Sequence, residues 1–166
     1  MLNSQSRTDT SPGQSIALGA LAGCVATLPM TIFMLATQRF LPRGQRYALP
    51  PEVIVKDLAH RAHIRSFLSK RQIMLATLIS HFGYGSAMGA AYGPMERAAP
   101  LPAPARGLVY GLLIWVGSYF ALLPLGDMAA SGQKEPGQRN LMMLAAHALW
   151  GITLGSIVAL LKKRSA

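Results

Sequence analysis

Four stretches of this chain, at 16–36, 73–92, 107–125 and 141–161, contain no Asp, Glu, Lys or Arg. Each is close to the roughly 20 apolar residues that a helix needs to cross a ~30 Å hydrocarbon core at about 1.5 Å per residue. Charged residues or polar loops bracket each one, as the cost of burying a charge in lipid requires. Composition agrees, with 51% of the residues hydrophobic and 13% charged, against roughly a quarter charged in an average soluble domain. The sequence therefore predicts an all-α, multi-pass integral membrane protein. It forms a four-helix bundle in one domain over 15–164, after a polar, disordered tail at 1–14.

The connections fit that count. Pro94, Pro100, Pro102 and Pro104 fall between the second and third spans, and SGQKEPGQRN at 131–140 separates the third from the fourth. Both stretches break helices and are short enough to join antiparallel neighbours. The connection between the first two spans is longer. It holds PPEVIVKDLAHRAHI, in which Val53, Ile54, Leu58 and Ala62 recur at helical spacing after two prolines; an interfacial amphipathic helix is expected over about 51–63. Pro29 and Pro124 should bend the first and third spans.

A net charge of +10 raises nucleic acid as a partner, but the basic residues sit in loops beside the spans. There they read as headgroup contacts and topology signals, so no nucleic acid is expected. Of the 16 Lys and Arg residues, six fall on the side of the termini (Arg7, Arg97, Arg106, Lys162, Lys163, Arg164) and ten on the other. The positive-inside rule then puts the termini outside, although LKKR near the C-terminus argues the other way. LAGC at 21–24 is similar to a lipoprotein cleavage motif. The apolar run before it is short, however, and continues past Cys24 instead of turning polar, so Cys24 is expected to be a buried helix thiol.

The most informative pattern is a repetition. HFGYGSAMG at 81–89 is echoed by HALWGITLG at 147–155, matching His81 with His147, Tyr84 with Trp150, Gly85 with Gly151 and Gly89 with Gly155 at an offset of 66. GALAG at 19–23 is echoed by GLVYG at 107–111 at an offset of 88. Two duplicated helical hairpins, the first with an expanded loop, account for both offsets and make the repeats parallel about an axis along the membrane normal. Residues four apart share a helix face. His81, Gly85, Gly89 and Gly93 thus form one stripe, and His147, Gly151 and Gly155 another. Gly19 and Gly23, and Gly107 and Gly111, are their natural partners. Close backbone approach at such stripes drives helix association in lipid, where hydrophobicity cannot.

Matched depth places Thr31, His81, Ser118, Tyr119 and His147 in one polar layer. The favoured reading is structural, with neutral imidazoles tying helices together by hydrogen bonds. Two alternatives stay open: a small-solute or proton pathway through the layer, and a bis-histidine haem or metal site. No cofactor is expected. His60 and His63 lie three residues apart on the connecting segment, but two ligands do not make a zinc site. The methionines read as core filling. Absence of a catalytic triad, a phosphate loop or paired carboxylates argues against an enzyme. The expected partners are the lipid bilayer and another membrane protein or a second copy of the chain.

GALAGCVATLPMT, HFGYGSAMGAAYG, GLVYGLLIWVGSYFALLP and AHALWGITLG together resemble small bacterial inner-membrane proteins of uncharacterised activity, including the YagU-like group. AHALWG is the nearest match, and the resemblance covers most of 15–161. It implies a bacterial cytoplasmic-membrane location and carries no activity with it.

Overall fold

The computed structural model describes residues 11–96, 100–128 and 135–165. The fold is all-helical. Helix α1 spans Pro12–Gln38, α2 Pro50–Arg61, α3 Lys70–Met95 and α4 Ala103–Gly117. A π-helical turn, Ser118–Leu122, carries α4 directly into the short α5, Leu123–Leu125, and α6 spans Gly137–Ser165.

Local chemistry sets these boundaries. Ser11 caps α1, its hydroxyl accepting from the Gln14 N–H at 3.2 Å, and Pro12 opens the first turn. Residues 12–14, expected in the tail, are therefore helical. Ser69 and Gln72 form a reciprocal capping box at the start of α3, satisfying two of the donors that a helix N-terminus leaves open. Pro94 lies inside the last turn of α3 instead of ending it, and α6 begins at Gly137, so 137–140 belong to the helix and not to the loop. Of that loop, 131–134 lie outside the described residues, as do Arg7 and Arg97. The expected interfacial helix is α2, which packs on α3.

Three helical stretches are long and apolar enough to cross a membrane: Pro12–Gln38, Ala103–Leu125 and Gly137–Arg164. The fourth expected span lies in α3, which is as long, but His81, three serine or threonine hydroxyls, two tyrosines and three glycines between 73 and 92 dilute its hydropathy. The exposed faces are apolar, with Leu21, Val25, Leu28, Ile32 and Leu35 outward on α1 and Val109, Leu113 and Val116 outward on α4. Hydroxyls on these helices are satisfied within their own backbones. Thr27, Thr31, Thr77, Thr153 and Ser156 each donate to the carbonyl four residues earlier, at 2.7–2.8 Å. That is the economical solution where water is absent.

Helix α1 packs against α3 and α6, and α4 against α6. The two hairpin contacts are glycine seams. A Cβ on Gly19 would strike the Gly89 carbonyl, and one on Gly23 the Gly85 carbonyl; Gly89 and Gly93 in turn face the carbonyls of Gly19 and Ser15. In the second seam Gly107 faces Gly151, Gly111 faces the His147 carbonyl, and Gly155 faces Ala103. Main chain lies on main chain at these rungs, whereas a Cβ on Gly85 would first meet the Thr27 side chain. Ser86 Oγ adds a 3.1 Å bond to the Ala20 carbonyl across the first seam.

The contacts also correct the two offsets. Setting Gly23 on Gly111, as offset 88 does, makes the Gly85 carbonyl the counterpart of the His147 carbonyl. Offset 66 instead sets His81 on His147. The two offsets cannot both describe equivalent positions, because the seams run one helical turn out of step.

Polar knots hold the two ends. Arg139, 1% exposed, donates to Glu135 at 2.6 Å and to the carbonyls of Gln45 and Ala48 at 2.8 and 3.0 Å, with its guanidinium 3.8 Å from the Tyr47 ring centroid. The long connector is thereby clamped to the start of α6. At the other end Lys162 donates to Glu96 at 2.9 Å.

Candidate functional site

Helices α3 and α4 occupy the two ends of the packing order α3–α1–α6–α4 and scarcely touch. Between them lies a half-open cavity of about 580 Å³. Two hydrogen bonds cross the gap: Tyr84 OH with Ser118 Oγ at 2.8 Å, and Tyr110 OH donating to the Met88 carbonyl at 2.7 Å. Helix α2 closes one end with Pro50, Pro51 and Ile54. Its last residue, Arg61, donates to the Asp127 carbonyl at 2.8 Å, which straps α2 to the segment beyond α5.

Four members of the expected polar layer, His81, Ser118, Tyr119 and His147, line this cavity, and Thr31 does not. Thr31 returns its hydroxyl to the Thr27 carbonyl, and Thr27, one turn earlier on the same face, takes the place at the wall. The count of eight residues back from Arg39, where α1 does end, fixes depth but not which residues of α1 the wall admits, and Thr27, Met30 and Met34 are the ones that line it. The glycine residues are divided: Gly85 reaches the cavity, whereas the other stripe positions lie in the seams.

Ser118 lies one helical turn beyond Ile114, and both line the cavity, so the face of α4 itself carries it inward. Proline 124 has no N–H and its ring crowds the carbonyl four residues earlier, at Phe120, so the helix widens just before it. Widening re-phases the following residues, and Leu122 and Leu123 join the lining. Pro124 was legible as a bend, not as a π-helical turn. Sequence reasoning also missed the methionines: Met30, Met34, Met88, Met128 and Met143 all border the cavity. Scattered along the chain, they carry no periodicity that would gather them.

The two histidines differ. His147 is 8% exposed and its Nδ1 lies 2.8 Å from the Met143 carbonyl. A carbonyl only accepts, so Nδ1 carries the proton and Nε2 presents a lone pair. The ring meets that of Tyr119 edge to face at 5.8 Å. His81 keeps a buried Nε2 with no hydrogen-bond partner. With no carboxylate among the lining residues, a charged imidazole would have no counter-ion there, and the site accommodates the neutral ring. Trp150, the counterpart of Tyr84 at offset 66, takes a different task. Its Nε1 donates to the Gly23 carbonyl at 3.2 Å and reaches Thr27 Oγ1 at 3.3 Å, tying α6 to α1.

Elsewhere, His60 and His63 are exposed on and just beyond the end of α2, and among the described residues no three His, Cys, Asp or Glu side chains converge. Cys24 is partly buried within α1. The arrangement suits an apolar guest held by a few directional polar contacts, the usual composition of a small-molecule pocket of 300–1,000 Å³.

No curated protein and no solved structure matches the chain. A family model described as a protein of unknown function, DUF1440, matches residues 31–156, and the chain belongs to that family.

Proposed function

We propose that this member of the DUF1440 family is a non-enzymatic accessory bundle of the bacterial inner membrane that holds a small apolar or amphipathic molecule between α3 and α4. In this reading α3 is the fourth span, and α1–α3 and α4–α6 are duplicated hairpins in parallel orientation. Kinship with the YagU-like group is part of the same proposal and rests on AHALWG and the glycine pattern. One observation carries the function: a cavity of about 580 Å³, largely apolar, that two histidines border and two helices leave open at the side. A guest dissolved in the bilayer would reach it laterally, without crossing an aqueous phase. Packing against another membrane protein, or a second copy, is compatible with the apolar outer faces.

The test uses Trp115→Phe protein in lipid nanodiscs, in which Trp150 is the remaining tryptophan and lines the cavity. Bromodecane should quench its emission saturably, and unbrominated decane should reverse the quenching. Quenching that only rises linearly with bilayer loading would reject the pocket.

A small-solute or proton pathway is the second reading, favoured by the placement of both histidines on one cavity. Proteoliposomes separate the two. An imposed pH gradient that decays faster with the parent protein than with a His81→Phe/His147→Phe double variant supports the pathway, and equal decay removes it.

A further inference from the structure

The proposed pocket is mostly greasy, but its polar atoms are arranged in a way that greasiness does not explain. His147 Nε2 is an acceptor by elimination, since Nδ1 spends its proton on the Met143 carbonyl. Tyr119, 5% exposed, packs edge to face on the same imidazole. Neither His147 Nε2 nor the Tyr119 hydroxyl has a hydrogen-bond partner among the described residues. Both side chains line the cavity and their rings are in contact, so an imidazole acceptor and a phenol hydroxyl are offered to the same guest. His81 adds a buried Nε2 without a partner to the same wall, and buried polar groups are nearly always paired.

We infer that the guest is a neutral, lipid-soluble molecule carrying a hydroxyl group, which donates to His147 Nε2 and accepts from Tyr119 OH. A hydroxyl is the smallest group that is donor and acceptor at one atom. A ketone or ether oxygen could accept from Tyr119 but would leave the imidazole lone pair facing another lone pair. A carboxylate or phosphate would bring a charge into a wall that contains no Lys or Arg to meet it. An ammonium would meet no carboxylate. The body of the guest lies against apolar wall and methionine thioethers, which adapt to irregular shapes. This inference rests on the pocket proposed above and adds the chemistry of its occupant.

The experiment compares 4-hexylphenol with 4-hexylanisole, which share a ring and a tail and differ by one methyl on the oxygen, using Trp150 emission of the Trp115→Phe protein in nanodiscs. The phenol should bind at least about tenfold tighter than the anisole, the equivalent of one hydrogen bond to a buried partner. In His147→Phe that preference should fall to about one. Tyr119→Phe removes a donor that either oxygen can accept from and should weaken both compounds while leaving the preference in place. Dodecanol distinguishes the source of the hydroxyl: affinity matching the phenol assigns a chain alcohol, and weaker binding assigns a ring. Equal binding of phenol and anisole to the parent protein overturns the hydroxyl inference while leaving the pocket standing. Failure of both, together with failure of bromodecane to quench saturably, overturns the pocket itself.

Discussion

The two glycine seams are built from the same four-residue spacing, yet they deliver different things to the cavity. In the α1/α3 seam the rungs are glycine from Gly19 and Gly23 to Gly85, Gly89 and Gly93, and His81 lies beyond the last rung with its Nε2 unpartnered. In the α4/α6 seam a histidine has taken a rung: the His147 carbonyl packs on Gly111, and the ring is held by the Met143 carbonyl. Similar motifs thus yield one loosely held imidazole and one that is fixed. A sequence repeat marks a shared backbone geometry, and the register of each seam decides what its side chains do.

The comparison is broken most directly at the rungs. Gly89→Leu and Gly151→Leu, one in each seam, should each cost more than about 3 kcal/mol, the upper end of ordinary overpacking, because the obstruction is main chain. Gly83→Leu, where a Cβ would meet nothing within 4 Å, should be silent. Thermal unfolding in nanodiscs reads both, and a Gly89→Leu protein as stable as its parent would remove the seam assignment.

The aromatic pair comes next. Trp150→Phe should cost about 2 kcal/mol, through lost volume and the bond to the Gly23 carbonyl. Tyr84→Phe, at the half-exposed Ser118 contact, should cost less than about 1 kcal/mol. Equal losses would make the two positions equivalent after all.

The histidines sharpen the contrast further. His147→Phe should destabilise by about 1 kcal/mol as its backbone hydrogen bond is lost, whereas His81→Phe should be neutral or stabilising, since it removes a buried group without a partner. The same ordering in reverse would mean that His81 is the anchored ring.

The smallest effect concerns the connector that the first hairpin has and the second lacks. Burial, and then the hydrogen bond to Glu135, raise the Tyr47 phenol above the ordinary tyrosine value. Its contribution is therefore complete below about pH 10 and is lost as the pH climbs past it. Tyr47→Phe should flatten that alkaline loss in a pH series of unfolding midpoints. An unchanged slope would show that the knot does not depend on the phenol.

Much of this was legible because membranes simplify the code. Uncharged stretches located α1, α4 and α6, prolines located α2, and glycines at four-residue spacing located both seams before any contact was known. His81, Ser118, Tyr119 and His147 could be grouped by depth because rise per residue is fixed in a helix. Thr31 failed because depth along an axis does not say which residues of α1 meet the cavity. Turn-level register was not legible. Choosing between adjacent glycines is a matter of backbone distances that the letters do not record. The methionines escaped because gathering them needs the assembled cavity, and the π-helical turn escaped because it needs Pro124 to act on a carbonyl rather than merely to bend an axis.

The equal spacing of the rungs has a mechanical consequence. A ladder with identical steps can be engaged one step higher or lower, a slide of about 6 Å along the helix axis, and every glycine would still find a glycine or the end of the row. What forbids the slide is whatever is not periodic: the Ser86 hydroxyl on Ala20, the indole of Trp150 on Gly23, the imidazole of His147 against Tyr119. These act as pawls on a ratchet. A molecule of this kind stores its alternative conformations in its packing, and a few side chains decide which tooth is caught.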